Sequence, residues 1–443
     1  MLGTGIFITT GDIARVLPHP GLVVAVWLAG GLYVLAGALS YAELGTLYPR
    51  AGGQYHFLKE AYGPIWGFLF GWASFLVIMT GGIAALAVGF GEYLGAFLPF
   101  FSTQHTLWSV PLGASAWSVN GGQLAGVLVI LLLTAVNYVG LKEGAGLQSL
   151  VTAVKVGSIV LLGVAGLSVA APVSPQLLAP LPPGHLWSSI GVAMIAVMWT
   201  FDGWYGVTNV GEEMRRPERD LPIGLIGGTL GVTVLYAPLN LVYVRALPVA
   251  AMAETSRIGE SAAVALFGPN GGRVIVAAVL VSTFGCLSAT ILYAARIYLP
   301  MAQDGVFFPA LAEIHPRFRT PAACLAAQGA WSVLLTLSGS YEQLYTYTTF
   351  AVVGSYAATG AALIVLRWKR PELPRPYRAW GYPVVPLLFT AVSIAFLVNT
   401  VLEKPREALT GSLLIALGLP AYAFWRRRRP LAEAARPAVD AVP

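Results

Sequence analysis

The sequence predicts an all-α, polytopic membrane protein, and three observations carry that prediction. Of its 443 residues, 57% are hydrophobic and only 10% are charged, whereas a soluble domain carries about 25% charged residues. The apolar excess is gathered into runs. Ala61–Gly91, Val156–Phe201, Leu221–Val244, Pro321–Tyr341, Gln343–Leu366 and Ala379–Leu402 contain no Asp, Glu, Lys or Arg. A bilayer core of about 30 Å needs roughly 20 apolar residues per helix, and these runs reach that length. The third observation is the placement of the basic residues, which fall in short loops and in the Arg426–Arg429 run directly after the last apolar segment. That is the charge asymmetry of a membrane protein, so the net charge of +6 does not imply nucleic acid.

Taken in order, apolar periods and loop punctuation predict helices over 21–47, 64–97, 121–140, 147–171, 187–214, 221–246, 272–303, 320–338, 342–367, 383–402 and 408–425. These are eleven spans, preceded by a shorter fragment at 5–17. Alternation puts loops 48–63, 141–146, 215–220, 304–319 and 368–382 on one side with the C-terminal tail. Of the 26 Lys and Arg, only Arg15, Arg245, Arg257, Arg273, Lys404 and Arg406 fall on the other side. The basic side is therefore expected in the cytoplasm. Inside apolar runs, the 50 Gly and 30 Pro suit close helix packing and broken helices. Cys286 and Cys324 both lie in spans, so neither a disulfide framework nor a disulfide to a partner is expected.

The fragment 5–17 reaches only about 20 Å at 1.5 Å per residue. The topology requires it to arrive from the cytoplasm, and about 15–30 residues forming a first half-helix are expected ahead of Met1. Two segments look discontinuous: Gly3-Thr4-Gly5, and Phe201-Asp202-Gly203-Trp204-Tyr205-Gly206 within the sixth span. They stand five spans apart, at the start of each half of a possible 5+5 inverted repeat. Interrupted apolar segments at corresponding positions point to a transporter's binding site.

The chemistry follows from the breaks. N–H groups at Gly3, Thr4 and Gly5 suit a carboxylate, and carbonyls at Trp199–Asp202 suit an ammonium, which together make a zwitterion receptor. Glycine triplets also serve as packing devices. A carboxylate at mid-membrane, Asp202, is costly and indicates function, unless it merely caps the lower half-helix. Lys155, in the fifth span, suits the place of a bound cation or a proton carrier, or else snorkels to the interface. For Arg245 and Arg296, near helix ends, snorkelling is the expected role. Trp199 and Trp204 flank the break as gate or lining residues.

Nothing in the sequence suggests an enzyme, and no metal or other cofactor is expected. HExxH, GxSxG and phosphate-loop motifs are absent, and His19, His56, His105, His185 and His315 are scattered mostly through loops. Uphill transport would be driven by a gradient.

In combination and order, Gly3-Thr4-Gly5-Ile6-Phe7, Ala42-Glu43-Leu44, Pro49-Arg50-Ala51-Gly52-Gly53-Gln54-Tyr55, Trp199-Thr200-Phe201-Asp202-Gly203-Trp204, Glu212-Glu213, Pro217-Glu218-Arg219 and Leu221-Pro222 resemble the amino acid–polyamine–organocation superfamily. Within it, they are closest to the L-type amino-acid transporter branch. The resemblance implies a LeuT-like 5+5 inverted repeat plus two extra helices. The division would be 1–171, 187–367, 383–425 and a basic cytoplasmic tail at 426–443. It implies a sodium-independent α-amino-acid transporter of the cell membrane, preferably an exchanger. Proton-coupled symport and polyamine or organic-cation transport are the alternatives.

By position, Gly3, Thr4 and Gly5 would bind the α-carboxylate, and carbonyls near Trp199 and Asp202 the α-amine. Trp199 would close over the substrate, so that the site comprises these residues with Thr200, Phe201 and Gly203. Lys155 would fill a cation site and serve coupling. Phe201 stands where Tyr is common and Tyr205 where Asn is common. The cysteine that links animal relatives to a heavy subunit is absent between residues 98 and 121, so no such partner is expected.

Overall fold

A computed structural model describes residues 1–112, 115–140, 144–170, 172–182 and 186–434. His185, Lys142 and, from the basic tail, residues 435–443 and the side chains of Arg428 and Arg429 lie outside the described residues. The chain is helical almost throughout. Among the described residues, ten helices are long and apolar enough to cross a membrane, and Ala322–Ser338 is a shorter apolar helix. With Gly5–Val16 ahead of them, these are the eleven spans and the fragment that the sequence predicts.

The first part of the chain comprises α1 (Gly5–Val16), α2 (Pro20–Leu47), α3 (Gln54–Tyr62), α4 (Pro64–Ala73) and α5 (Met79–Leu94). The sequence predicts a single helix over 64–97. Instead, a π-helical turn, Ser74–Ile78, joins α4 to α5. An antiparallel hairpin, β1 (Thr106–Leu112) and β2 (Ser115–Asn120), leads into α6 (Gly121–Val139). Next come α7 (Gly144–Ser168) and α8 (Leu186–Phe201), the latter followed by a 3-10 segment, Trp204–Glu213. The short α9 (Pro217–Pro222) passes through a second π-turn into α10 (Gly228–Ala246), and α11 (Val249–Glu254) follows. The predicted 272–303 helix is the later part of α12 (Ile258–Gln303), which bends at Gly268-Pro269. The remaining helices are α13 (Ala322–Ser338), α14 (Tyr341–Lys369), α15 (Val384–Glu403), α16 (Pro405–Ala416) and α17 (Gly418–Ala434).

Local chemistry fixes several ends. Pro20 opens α2, and the His19 ring accepts the Leu22 N–H at 3.2 Å. Reciprocal capping boxes, Asn120 with Gln123 and Ser340 with Gln343, start α6 and α14. Along the spans the polarity is arranged for lipid. Leu32, Leu161, Val234 and Leu388 face outward, while Thr10, Asn240, Gln328 and Thr348 are buried. The buried groups pair with one another or with backbone: Thr10 donates to Asn240 at 2.8 Å, and Gln328 to the Ile291 carbonyl at 2.7 Å.

Helix α5 runs through the middle of the bundle, against α6, α12, α13 and α14. The broken pair, α1 and α8, pack on each other, with α2 behind α8 and α12 beside α1. This packing brings both discontinuities to one depth. Two arginines near helix ends find partners there. Arg296 pairs with Glu213, and Arg245 donates to the Leu167 carbonyl at 3.1 Å, near the end of α7.

Candidate functional site

Helix α1 begins without a side-chain cap, so its first N–H groups stay open. At the other break, α8 ends at Phe201. The chain turns at Gly203, whose φ of +85° only glycine adopts without strain, and resumes as the 3-10 segment. The Asp202 N–H returns to the Trp199 carbonyl at 3.1 Å. The two breaks approach so closely that a Cβ added to Gly5 would lie 2.7 Å from Thr200 Oγ1 and 3.0 Å from Thr200 Cα. Thr9 and Thr200 hydroxyls, 2.8 Å apart, stitch the same contact.

Between the breaks lies a cavity of about 280 Å³. Gly3, Gly5, Trp199, Thr200, Asp202 and Gly203 line it, and Lys155 reaches in from α7. Ile78, Met79, Gly82 and Leu86 supply its apolar wall, while Cys286, Thr290 and Tyr293 supply the face from α12. The Lys155 ammonium sits where a Cβ on Gly285 would be 3.2 Å away. Asp202 accepts a 2.5 Å hydrogen bond from Tyr356 of α14.

Two site residues named from the sequence do not line this cavity. Thr4 turns its hydroxyl to Tyr341, at 3.4 Å. Phe201 is fully buried against Trp27 and Tyr236, with ring centroids 6.1 and 5.1 Å away. Above the cavity, Trp199 donates to the Tyr341 hydroxyl at 2.9 Å and stacks on Tyr345, which in turn donates to Asp12 at 3.0 Å. Asp12 pairs with Arg15 at 2.7 Å. This layer divides the cavity from an outer one of about 490 Å³ lined by Asp12, Arg15, Trp117, Gln123, Tyr341 and Glu342.

Sequence reasoning missed Tyr341, Tyr345 and Tyr356. Their signal was a row of hydroxyl residues, Tyr341, Tyr345, Thr348, Tyr356 and Thr359, at helical spacing along an otherwise apolar span. Among the described residues, no group of three or more His, Cys, Asp or Glu is placed to hold a metal ion.

Two broken helices facing one cavity deep in a bundle of membrane-spanning helices define a membrane transport protein. Residues 1–424 match the family described as amino acid permease, and the chain belongs to that family. It is 29% identical over 435 residues to the serine/threonine exchanger SteT of Bacillus subtilis, covering 97% of this chain and 94% of that protein. It is 30% identical over 430 residues to the human b(0,+)-type amino acid transporter 1, covering 95% of this chain and 84% of the relative. The mouse large neutral amino acids transporter small subunit 2 is 26% identical over 437 residues, with 97% and 79% covered.

Proposed function

We propose that the chain is a sodium-independent exchanger of α-amino acids working by alternating access. The observation that carries this reading is the cavity between the uncapped start of α1 and the end of α8. Open N–H groups attract a carboxylate and terminal carbonyls attract an ammonium, which is the charge pattern of an amino acid. In this reading the Gly3, Thr4 and Gly5 amides take the α-carboxylate. The α-amine goes to carbonyls near Trp199 and Asp202, Thr200 and Gly203 shape the break, Phe201 braces it from behind, and Trp199 closes over the bound molecule. The Lys155 ammonium stands in for a coupling cation. The names of the relatives, an exchanger of serine and threonine and two amino acid transporters, point the same way.

The same reading divides the chain at 1–171, 187–367 and 383–425, two repeats of opposite orientation followed by two added helices. It places the protein in the cell membrane, with its basic tail in the cytoplasm, as a carrier rather than an enzyme. It also dispenses with a disulfide-linked heavy subunit, since Cys286 and Cys324 both lie within spans.

The test is uptake of a radiolabelled amino-acid mixture into proteoliposomes that are either empty or preloaded with unlabelled amino acids. Uptake confined to preloaded vesicles, and indifferent to sodium, is expected. A second reading, proton-coupled uptake, is favoured by Asp202 and Lys155 lining one cavity. Uptake into empty vesicles that grows with an inward proton gradient would replace exchange by that mechanism.

A further inference from the structure

Below the cavity, along the same two elements, lies a separate cleft. Gly206 and Val207 line the cavity, and Glu212 and Glu213, further along the 3-10 segment, line the cleft. Likewise Tyr293 of α12 lines the first, and Arg296, Pro300 and Gln303 line the second. The cleft measures about 510 Å³ and is completed by Arg50, His56 and, from the α12–α13 connection, Arg319. It opens on the face where α2, α12 and α17 end, and the 3-10 segment and α12 run from the cavity to it.

Its charges are unevenly committed. Glu212 accepts the Ala51 N–H at 3.1 Å, Glu213 holds Arg296, with Nη2 at 3.2 Å, and Asp304 takes 2.5 Å bonds from both Lys59 and Tyr55. Each carboxylate is thus partnered. Among the described residues, Arg50 and Arg319 make no side-chain hydrogen bond or ion pair. Arg319 is moreover the one residue other than glycine with a positive φ, +56°, among the described residues. That conformation is unfavourable for a residue with a Cβ. It is held by a tight loop in which the Arg319 N–H reaches the His315 carbonyl at 2.8 Å and the His315 N–H reaches the Thr320 carbonyl at 2.9 Å. A strained backbone that sets an unpartnered cation in a cleft marks a candidate binding position.

We infer that this cleft is a docking site for the substrate on the C-terminal face, in which Arg50 and Arg319 receive the carboxylate of an amino acid before it enters the cavity or after it leaves. The inference rests on the reading of the chain as an amino-acid exchanger. A zwitterion lying there turns its ammonium towards Glu213, whose side chain is 57% exposed despite its pairing with Arg296. The two guanidiniums concentrate substrate at one mouth of the pathway, so they set apparent affinity on that face alone.

The experiment uses the full chain with a C-terminal tag, reconstituted into preloaded vesicles. Capture on the tag separates vesicles that present the C-terminal face outward from those that present the other face. Half-saturation for a labelled amino acid is measured on each. In the double variant Arg50→Gln/Arg319→Gln, the ratio of C-terminal-face to opposite-face half-saturation is expected to rise about three-fold, the scale of an exposed ion pair. Arg50→Lys/Arg319→Lys should restore much of the parent ratio, and Arg317→Gln, an exposed arginine of the same loop, serves as control. A mutation-free measurement runs beside it. In the parent, raising salt from about 0.05 M to 0.5 M should raise half-saturation on the C-terminal face and spare the other. An unchanged ratio, an equal shift on both faces, or salt effects equal on the two faces would overturn the docking site while exchange itself persists. A parent that exchanges no amino acid removes both readings.

Discussion

Gly5 is the residue on which the contact of the two broken helices depends. A Cβ there would stand 3.0 Å from the Thr200 Cα, a backbone atom that cannot rotate away. Gly5→Ala must therefore wedge α1 off α8, pulling apart the amides and carbonyls that the proposed site needs together. Exchange in vesicles should drop at least about ten-fold, because even a 1 Å misplacement of aligned groups is costly. The spans should still insert, since no charge is added. Thr200→Gly removes the hydroxyl and methyl that lie 2.7 and 2.9 Å from the added atom. Combined with Gly5→Ala, it should recover part of the loss. Exchange by Gly5→Ala at the parental rate would show that the close approach is incidental. Part of this site was legible: Gly3-Thr4-Gly5 and Asp202-Gly203 interrupt apolar runs, and interruption is a local signal. Tyr356 was not, although it donates to Asp202. It lies 154 residues downstream in a run that reads as continuous apolar helix, and only the packing of α14 on α8 reveals the pair.

Among elements, the spans were legible because roughly 20 apolar residues leave few choices in a bilayer. The shorter elements were not. The β1–β2 hairpin, α11 and α3 lie in loops that carry no long period, and the bend of α12 depends on the positive φ of Gly268. Helix α3 lies outside the spans, packed on α4 and α14, and its Tyr55 and Lys59 bond to Asp304, just past the end of α12. Burial, helped by the neighbouring Lys59 charge, pushes the His56 ring down to about 4. Burial alone would raise Asp304, but hydrogen bonds from Lys59 and Tyr55 and the Lys59 charge outweigh it and hold the carboxyl below its ordinary range. Both groups bind fewer protons folded than unfolded, so stability falls as pH falls. For His56 the contribution is complete above about pH 6.5 and is lost progressively towards pH 4; for Asp304 the loss comes lower, below about pH 4. Amide exchange over 54–62, corrected for intrinsic rate, should therefore be flat between pH 7 and 8 and quicken below about 6.5. His56→Gln should flatten the upper part of that slope, and an unaltered slope in that variant would remove His56 from the account.

At the scale of the whole molecule, one buried acid ties distant parts of the chain. Glu43, near the end of α2, is fully buried. It accepts a forked pair of bonds from Arg367 of α14 at 2.8 and 2.6 Å, and its second oxygen also takes the Ala379 N–H at 2.7 Å. Arg375 Nε lies 3.2 Å from the other oxygen. The Arg367 guanidinium in turn lies 3.7 Å from the centre of the Tyr382 ring. One carboxylate thus joins α2 to α14 and to the connection that leads into α15. A buried pair adds little net stability over an apolar replacement, but removing one partner strands the other. Glu43→Gln keeps the volume, loses the charge, and leaves the largely buried Arg375 beside a neutral amide. The expected cost is about 3–5 kcal/mol, seen as a lower thermal unfolding midpoint in detergent and poorer accumulation in the membrane. Glu43→Asp retains the charge but draws it back by one methylene, so its loss should be smaller. Because the cluster is remote from the cavity, whatever protein does fold should keep the parental half-saturation on both faces. A Glu43→Gln protein as stable as its parent would mean that apolar packing of α2 on α10 and α15 suffices without the ion cluster.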